Sequence, residues 1–514
     1  MRRMPIGIQD FDSLITGGYA YIDKTRWVYE LANEGVYFFL GRPRRFGKSL
    51  LLSTLCAYFE GKRELFRGLA MEGLEKEWAS WPVLHIDLNV SSYRNAEDLE
   101  SGLDTNLRRF ERVWGIDGQT SGKTPAARFY DLIQTACEKS GRRIVVLVDE
   151  YDRPLLQTME AGAANDEMRT ALKGFYGVLK SANQWLRFVL LTGVTKFSRV
   201  SVFSDLNMLR DISMEEPYNG ICGISARELE ENFKTELSAL AEKNGMTYGE
   251  AVAEMKRRYD GYRFSDADES MYNPFSVLNT LKKKVFSYYW FKTGTPTFLI
   301  EQIRKADFDL LKFAGGVEIP AHSIDDYRAG GDNPVPLLYQ SGYLTIVGHR
   351  NDRYMLDFPN EEVRYGFLRE LLPYYTYRPP GQEFFADYFI DDLRAGDVDG
   401  FMGRMRAFFA NIPYELNDNT ERHYQTVFYL VFTMLGQYAQ AEVRSAKGRA
   451  DAVVRTPDAV YVFEFKLNGT AEEALAQIDD RGYAIPYEAG GRKVVKIGAA
   501  FDKDERNISR WLVR

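Results

Sequence analysis

The feature that most constrains this fold is an alternation, in the first third of the chain, of short apolar runs with longer segments of helical spacing. Runs that are apolar throughout and separated by helical segments are typical of a parallel sheet covered by helices on both faces. The sequence therefore predicts an α/β fold for this region. The strands are expected at Val36–Leu40, Val83–Leu88, Ile144–Val148 and Phe188–Thr192.

The first strand leads directly into the loop Gly41-Arg-Pro-Arg-Arg-Phe-Gly-Lys48-Ser49, and an amphipathic helix is expected next, at Leu50–Glu60. Strand, loop, Gly-Lys-Ser and helix follow one another in the order that a phosphate-binding P-loop requires. In such a loop the backbone N–H groups hold the phosphates, Lys48 reaches the β and γ oxygens, and the Ser49 hydroxyl binds Mg²⁺. The usual form has a glycine where Arg42 stands, so the loop alone also fits an ordinary helix start with a solvated lysine.

A second motif lies further along the chain, where the apolar strand Ile144–Val148 ends in two carboxylates, Asp149 and Glu150. This matches a Walker B element, in which Asp149 orders the Mg²⁺ shell and Glu150 polarises the attacking water. The alternative is that acidic residues simply end a strand. The following strand ends at Thr192, whose side chain could sense the γ-phosphate of a nucleotide.

With these motifs in place, the chain resembles, over nearly its whole length, the AAA-ATPase-like proteins of bacteria and archaea that carry an appended PD-(D/E)XK nuclease-like domain. The resemblance implies an N-terminal P-loop NTPase domain, a parallel sheet flanked by helices, that binds ATP and Mg²⁺. The motifs that carry it are Ile6-Gly-Ile-Gln-Asp-Phe11, Tyr21-Ile-Asp-Lys-Thr25, Arg42-Pro-Arg-Arg-Phe-Gly-Lys-Ser49, Val148-Asp-Glu-Tyr-Asp152, Thr192-Gly-Val-Thr-Lys-Phe-Ser198, Tyr259-Asp-Gly-Tyr-Arg-Phe264, Tyr272-Asn-Pro-Phe-Ser276 and Gln340-Ser-Gly-Tyr-Leu-Thr345.

In that family a Pro-Arg-Arg-Phe-Gly-Lys loop stands where other P-loops are rich in glycine, so the resemblance accounts for the departure at Arg42. The loop arginines could contact phosphates, a neighbouring subunit or DNA. Assembly into a homo-oligomer fits proteins of this type, with Arg199 or Arg210 as candidates for an arginine that acts across the subunit boundary. The residues expected at the nucleotide and its metal ion are Arg44, Arg45, Gly47, Lys48, Ser49, Asp149 and Thr192.

Near the end of the chain, two strands are expected at 448–455 and 460–466, joined by a turn at Thr456–Ala459. Because side chains alternate along a strand, Glu464 and Lys466 point to the same face, and Asp451 on the neighbouring strand can join them. Two carboxylates can hold hard cations through their oxygens, and a lysine can orient or deprotonate a water for attack on phosphorus. This set of residues is typical of Mg²⁺-assisted phosphodiester hydrolysis.

The spacing from Asp451 to Glu464 and Lys466 resembles the core of the PD-(D/E)XK nucleases, with alanine before the aspartate where the name has proline. The resemblance implies a C-terminal α/β restriction-endonuclease-like domain. In that domain Glu421, at the start of the preceding helix, adds an acidic metal ligand, and Gln477 joins the catalytic residues from the following helix. The alternative is a surface ion pair between Glu464 and Lys466, with Asp451 as a turn residue.

These observations predict three regions. Residues 1–224 form the AAA-ATPase-like P-loop domain, 225–380 form a mostly helical middle region of lid or winged-helix type, and 381–514 form the PD-(D/E)XK nuclease-like domain. Helices are expected at Ala226–Asn244 and Tyr248–Arg258, where the texture of the sequence changes. The two prolines and the glycine within Tyr375–Gln382 break regular structure before the last region.

Charge restricts how this chain can meet nucleic acid. The chain has 66 Lys+Arg and 73 Asp+Glu, and the formal net charge of −7 excludes a globally basic protein that coats DNA. Contact with nucleic acid, DNA in the first place, is therefore expected through a local basic strip. The same residues also fit a solvated face; they are Arg444, Lys447, Arg449, Arg492, Lys493 and Lys496.

The cysteines and the apolar stretches predict a cytoplasmic protein without membrane contact. Cys56, Cys137 and Cys222 lie far apart without Cys-x-x-Cys spacing, which favours a reducing compartment over a disulfide framework or a zinc finger. The N-terminus is not followed by the apolar core of a secretory signal. The longest apolar stretch, Val427–Leu435, is too short to cross a bilayer.

Two functions of different classes follow from the sequence. In the first, the protein is an ATPase coupled to a Mg²⁺-dependent nuclease that acts on DNA, in defence or in DNA processing. In the second, it is a nucleotide-switched sensor or binding module whose nuclease-like domain binds without cleaving. A scaffold that retains both folds without either chemistry is a third option.

Overall fold

The structure is a computed structural model that describes residues 2–514 with the exception of 117–121, 197–205, 267–268, 292–296, 307, 315, 325–332, 377–385, 413–420, 437–439, 444–449, 468 and 503. The side chains of 297–298, 314, 386, 421–422, 425 and 440–443 are also not described. The chain divides into two compact units. Unit 1 comprises Met1–Ala306 and Glu318–Asn360, and unit 2 comprises Asp307–Val317 and Glu361–Arg514.

The core of unit 1 is a five-stranded sheet in which every pair of neighbouring strands is parallel. One of its strands is buried along its whole length and another at every position except Arg187, as expected for strands covered on both faces. The prediction of an α/β fold is confirmed. In chain order the strands are β1 (Tyr37–Gly41), β2 (Val83–Asp87), β3 (Ile144–Asp149), β4 (Leu186–Gly193) and β5 (Arg210–Asp211), and their order across the sheet is β2-β3-β4-β1-β5.

Among the described residues of unit 1, eight α-helices precede Arg210, and several begin at residues that accept hydrogen bonds from the first turn. Asn95 and Thr124 accept them at the start of the two helices that pack against each other beside the sheet. These eight helices are α1 (Phe11–Thr16), α2 (Thr25–Glu34), α3 (Lys48–Phe59), α4 (Ala70–Leu74), α5 (Ala96–Trp114), α6 (Pro125–Ser140), α7 (Arg153–Gln157) and α8 (Ala163–Ser181).

The rest of unit 1 is mostly helical, as predicted for the middle region. Reciprocal capping boxes formed by Ser225 with Glu228 and by Thr247 with Glu250 begin the first two helices. The helices are α9 (Ala226–Lys243), α10 (Tyr248–Tyr259), α11 (Pro274–Lys283), α12 (Thr297–Lys305) and α13 (Val335–Gln340). Short strands accompany them: β6 (Ile224–Ser225) pairs with β7 (Met271–Tyr272), while β8 (Val317–Pro320), β9 (Thr345–Arg350) and β10 (Arg353–Asp357) form a small sheet.

Several aromatic residues of this middle region belong to the core, because they are almost completely removed from solvent. The buried set is Tyr259, Tyr262, Phe264, Tyr272, Tyr289, Trp290 and Phe291.

Unit 2 contains a mixed sheet with helices packed against it. Its helices are α14 (Glu361–Thr376), α15 (Ala386–Arg394), α16 (Val398–Ala410), α17 (Glu421–Leu435), α18 (Ala471–Asp480) and α19 (Ile485–Glu488). Its strands lie in chain order across the sheet and are β11 (Gln440–Val443), β12 (Ala452–Arg455), β13 (Ala459–Leu467), β14 (Lys493–Asp502) and β15 (Asn507–Val513). The sequence predicts one strand after the last helical segment, whereas the structure has two, β14 and β15.

The division into two units places residues 225–306 and 318–360 in the same unit as the N-terminal sheet. The three-region division stays a prediction about how the chain is organised. In the described part of the chain, no helix has the length and apolar character needed to cross a membrane. Cys56, Cys137 and Cys222 are free thiols, which agrees with the expectation that they form no disulfide framework.

Candidate functional site

The loop between β1 and α3 has the backbone geometry of an anion-binding turn. Gly47, at the N-cap of α3, has a φ of 99°, and Arg45 has a φ of 68°. Both values lie in the left-handed region, and only glycine adopts it without steric cost. No described side chain caps the first turn of α3, so its backbone N–H groups are not used by a capping residue. This helix start is therefore able to receive an anion.

Lys48, the first residue of α3, is buried and points into its own loop. Its Nζ donates hydrogen bonds to the carbonyl oxygens of Arg42, at 2.8 Å, and Pro43, at 3.1 Å. The loop therefore holds the ammonium group within its concave side. Ser49 follows as the second residue of the helix, as the P-loop pattern predicts.

The three arginines of this loop have different environments, although the sequence analysis gives all three the same possible contacts. Arg42 is only 1% exposed, and its guanidinium donates to the carbonyl oxygens of Ser213, at 2.6 Å, and Tyr218, at 3.0 Å. Burial lowers the pKa of Arg42. Arg42 thus holds the loop to the segment after β5 and is not available to phosphate or DNA. Arg44 and Arg45 have exposed side chains.

The acidic motif lies at the carboxyl end of β3, two strands away from β1 in the same sheet. Because β3, β4 and β1 are parallel, the motif and the loop after β1 lie at the same edge of the sheet. Asp149 is 3% exposed, and its Oδ1 accepts a hydrogen bond from Thr192 Oγ1 at 2.9 Å. Glu150 follows with a φ of 51°, and its carboxylate contacts Arg153 at 3.3 Å. The structure therefore brings Asp149 and Thr192 into contact.

One further residue of this edge, Asp152, is quoted in the motif but is not assigned a role by the sequence. It is 1% exposed, and its Oδ2 accepts hydrogen bonds from Val194 N, Thr195 N and Thr195 Oγ1, at 3.0, 2.6 and 2.7 Å. Burial raises the pKa of Asp152, and the charge of Glu150 acts in the same direction. Asp152 thus fastens the segment after β4 to the segment after β3. The sequence feature that could have indicated this role is a third carboxylate, three residues after Asp149, close behind a buried strand.

An apolar cavity of about 110 Å³ lies beside Gly47. Two of its polar lining groups are already engaged: Lys24 forms an ion pair with Glu228 at 2.6 Å, and Thr54 Oγ1 donates to the Leu50 carbonyl oxygen at 2.8 Å. The cavity is therefore a small, mainly apolar space next to the Gly47 loop. Its lining includes Ile22, Leu51, Ile224, Phe233, Pro274 and Leu278.

In unit 2 the strands β12 and β13 bring the predicted acidic residues together. Ala452 pairs with Phe463 in an antiparallel register, which places Asp451 next to Glu464. Asp451 Oδ2 accepts a hydrogen bond from the Phe465 backbone N–H at 2.9 Å. The alternative in which Asp451 is an unrelated turn residue is therefore disfavoured by the register of the hairpin.

Gln477 on α18 joins this pair to the lysine. Its Oε1 accepts a hydrogen bond from Lys466 Nζ, and its Nε2 donates to Glu464 Oε1. Glu464 is 3% exposed, and its second oxygen, Oε2, has no hydrogen-bond partner among the described residues. Burial raises the pKa of Glu464 to about 8, and the charge of Asp451 acts in the same direction. All four predicted residues of the hairpin and α18 therefore form one cluster.

This raised pKa predicts that Glu464→Gln stabilises the metal-free protein progressively as pH increases. Between the ordinary carboxyl pKa of 4.5 and about 8, the folded protein keeps a proton that the unfolded chain has released. The free energy of unfolding of the wild type therefore falls by about 1 kcal/mol per pH unit in this window, and glutamine removes that dependence. In EDTA, the melting temperature of the variant relative to the wild type is expected to rise by roughly 5 °C from pH 5 to pH 8.

The matched control is Glu505→Gln, which changes an exposed glutamate of the same unit. Its melting temperature is expected to follow that of the wild type at every pH. A Glu464→Gln difference that stays constant from pH 5 to pH 8 contradicts the raised pKa.

Some predicted residues are only partly covered by the structure. Glu421 begins α17, but its side chain is not described. Arg444, Lys447, Arg449 and Arg199 lie outside the described residues. Within the described part of the chain, no group of three or more His, Cys, Asp or Glu side chains is arranged to hold a metal ion. Glu421 and the basic strip therefore stay predictions.

Two other candidate cations have acidic partners. Lys496 Nζ contacts Asp479 at 2.7 Å, and Arg210 contacts Glu34 at 2.7 Å and Glu215 at 2.6 Å. Within the predicted basic strip, Arg492 and Lys493 are exposed.

Comparison with known proteins agrees with both halves of this description. Residues 5–203 match the family model described as a predicted AAA-ATPase, and residues 419–511 match that of the PD-(D/E)XK nuclease superfamily. A relative from Azotobacter chroococcum mcd 1, described as an uncharacterized protein in the vnfD 5' region, is 36% identical over 528 residues, covering 100% of this chain and 99% of the relative. The chain belongs to the AAA-ATPase-like family whose members carry a PD-(D/E)XK nuclease superfamily domain.

The matched ranges coincide with the two clusters of this AAA-ATPase-like protein. The ATPase match contains the loop with Lys48, the carboxylate Asp149 and the β4 end at Thr192. The nuclease superfamily match contains Asp451 and Glu464, together with Lys466 and Gln477. Domains of these two kinds generally use a nucleotide and a divalent metal ion.

Proposed function

We propose that this protein is an ATP-dependent nuclease, in which ATP binding and hydrolysis in unit 1 control Mg²⁺-dependent cleavage of DNA by unit 2. A role in defence or DNA processing fits this combination. The observation that carries the proposal is the buried carboxylate of Glu464, which lies next to Asp451, has one oxygen without a hydrogen-bond partner among the described residues, and is tied through Gln477 to Lys466.

The nucleotide site would be built from the loop before α3 and the carboxyl end of the sheet. Lys48 would leave its carbonyl partners to meet the phosphate oxygens. Arg44 and Arg45, two exposed residues of the same loop, would add guanidinium groups, of which that of Arg45 lies over the Phe275 ring at 3.8 Å. A Cβ added at Gly47 would meet no atom within 4 Å, so the helix start is open to an approaching phosphate. The cavity beside Gly47 would take the base.

The catalytic carboxylate of the ATPase reaction would be Glu150, which would orient the attacking water. Thr192 would sense the γ-phosphate while keeping Asp149 in place through its hydrogen bond. Ser49 and Asp149 are the side chains that would hold Mg²⁺ at this site.

In unit 2, Asp451 and Glu464 would hold the metal ion, with Glu421 as an additional ligand. The fit rests on Glu464 Oε2, a buried carboxylate oxygen that lacks a partner among the described residues and lies next to a second carboxylate. When bound, Mg²⁺ would neutralise charge on the scissile phosphate and activate a water. Gln477 would hold Lys466 and Glu464 in a fixed mutual position, and Lys466 would orient that water.

The test is to incubate the purified protein with Mg²⁺, with and without ATP, on linear, circular and single-stranded DNA and on RNA. We expect ATP hydrolysis, together with DNA cleavage that requires Mg²⁺, changes with ATP and stops in EDTA. Absence of cleavage on every substrate, with tight nucleotide binding and negligible turnover, would instead establish the nucleotide-switched binding module.

A further inference from the structure

The turn at the C-terminal end of α13, residues Gln340–Tyr343, contacts both of the loops that form the candidate nucleotide site. It belongs to the motif Gln340-Ser-Gly-Tyr-Leu-Thr345, for which neither the ATPase chemistry nor the nuclease chemistry provides a role. The turn lies within unit 1, in the part of the chain beyond the family match at 5–203.

Its first contact is with the segment that follows β4. Gln340 Oε1 accepts a hydrogen bond from the Lys196 backbone N–H at 2.8 Å, and Gln340 Nε2 donates to the Ile324 carbonyl oxygen at 3.0 Å. Both ends of the amide are therefore used, and the side chain has one orientation. Lys196 ends the segment whose Thr195 is bonded to Asp152. The amide thus fixes the far end of the segment that begins at Thr192.

Its second contact is with the phosphate loop itself. Gly342 has a φ of 86°, and a Cβ added there would lie 2.7 Å from Pro43 Cβ and 2.8 Å from Pro43 Cγ. Only glycine satisfies both the backbone conformation and the close approach. The next residue, Tyr343, packs against Trp290 with ring centroids 5.1 Å apart, and Trp290 Nε1 donates to the Arg44 carbonyl oxygen at 3.2 Å.

We propose that the Gln340–Tyr343 turn positions the two nucleotide loops relative to each other. One of its two contacts supports ATP hydrolysis, and the other supports ATP binding. Gln340 positions the Thr192–Lys196 segment for hydrolysis. Gly342 lets the turn seat the Pro43–Arg44 part of the phosphate loop for nucleotide binding. The inference rests on the proposed ATPase function. It assigns the positioning of the two loops to residues that do not themselves contact the phosphates.

The two contacts predict different effects: loss of the first lowers the rate of ATP hydrolysis, and loss of the second weakens ATP binding. Gln340→Leu keeps the volume of the side chain but removes both hydrogen bonds, so we expect kcat for ATP hydrolysis to fall about 10-fold or more, with the Kd for ATP within about twofold of wild type. Gly342→Ala forces the phosphate loop away from Pro43's position, so we expect the Kd for ATP to rise about 10-fold or more.

The experiment measures the Kd for ATP by calorimetry and kcat by phosphate release on the full chain. Gln340→Glu keeps the acceptor for the Lys196 N–H and is expected to recover kcat to within about threefold of wild type. The control is Gln184→Leu, which removes an exposed amide elsewhere in unit 1. Melting curves verify that each variant is folded.

The inference is overturned if Gln340→Leu and Gly342→Ala change Kd and kcat in the same way. It is also overturned if neither variant changes Kd or kcat. Both outcomes leave the ATPase proposal intact. If Gln340→Leu does not fold, failure of Gln340→Glu to hydrolyse ATP better than about a tenth of the wild-type rate overturns it in the same way. A wild-type protein that neither binds nor hydrolyses ATP overturns both proposals together.

Discussion

Glu464→Gln is expected to reduce Mg²⁺-dependent DNA cleavage by about 10³-fold while leaving ATP hydrolysis within about twofold of wild type. Glutamine has nearly the shape of glutamate and keeps an acceptor for Gln477 Nε2, so the packing of the buried site is preserved. It removes the charge that would hold a cation beside Asp451. The measurement is the initial rate of cleavage of whichever DNA form the wild type cuts, at saturating Mg²⁺.

Because the same substitution is expected to stabilise the metal-free protein, a loss of cleavage cannot be attributed to unfolding. Lys466→Met supplies an independent variant. It removes the ammonium from which Gln477 Oε1 accepts a hydrogen bond, and it leaves both carboxylates in place. Glu505→Gln, the exposed control, is expected to cleave at the wild-type rate. Cleavage by Glu464→Gln at more than about a tenth of that rate would mean that the reaction takes place elsewhere.

Lys48→Ala is expected to lower ATP hydrolysis by about 10²-fold to 10³-fold and to weaken ATP binding. The carbonyl oxygens of Arg42 and Pro43 accept hydrogen bonds from this ammonium and hold it within the loop. Its loss leaves the backbone N–H groups of the loop and the guanidinium groups of Arg44 and Arg45 as the remaining proposed contacts for the phosphates. Radiolabelled or fluorescent ATP measures binding, and phosphate release measures turnover.

Two companion variants separate binding from hydrolysis. Glu150→Gln is expected to bind ATP normally and to hydrolyse it at least about 10²-fold more slowly, because the group that orients water is neutralised. Lys180→Ala alters an exposed lysine at the end of α8 and should behave as wild type. Normal ATP binding and turnover in Lys48→Ala would show that this loop does not hold the phosphates.

Four of the five strands of the N-terminal sheet could be predicted from apolar runs in the sequence, whereas the two-residue edge strand β5 has no such run and was not predicted. The observed bounds of β1 and β3, for instance, differ from the predicted ones by a residue at one or both ends. The edge strand β15 gives no such signal. Its exposed positions Ser509 and Arg510 interrupt the apolar pattern, and its pairing with β14 depends on a partner strand already in the sheet.

The candidate site shows the same division between local and tertiary information. The spacing of Glu464 and Lys466 places both side chains on one face of a strand, so their proximity follows from the period of the strand. The burial of Arg42 could not be predicted, since the carbonyl oxygens that it binds belong to Ser213 and Tyr218, far along the chain. Gln340 was missed for a similar reason, because its partners are backbone groups, which leave no pattern in a sequence.

The interleaving of the two units has a consequence for biosynthesis. The segment Asp307–Val317 belongs to unit 2, yet it is translated before the last piece of unit 1, Glu318–Asn360. A nascent chain must therefore keep that segment unassembled while unit 1 is completed, and it waits further for α17, with which the short helical turn Leu310–Ala314 packs. Gene fragments cut near residue 380 to isolate the nuclease superfamily domain would leave out this piece. An insoluble fragment of that kind would reflect the missing segment and would say nothing about the catalytic residues.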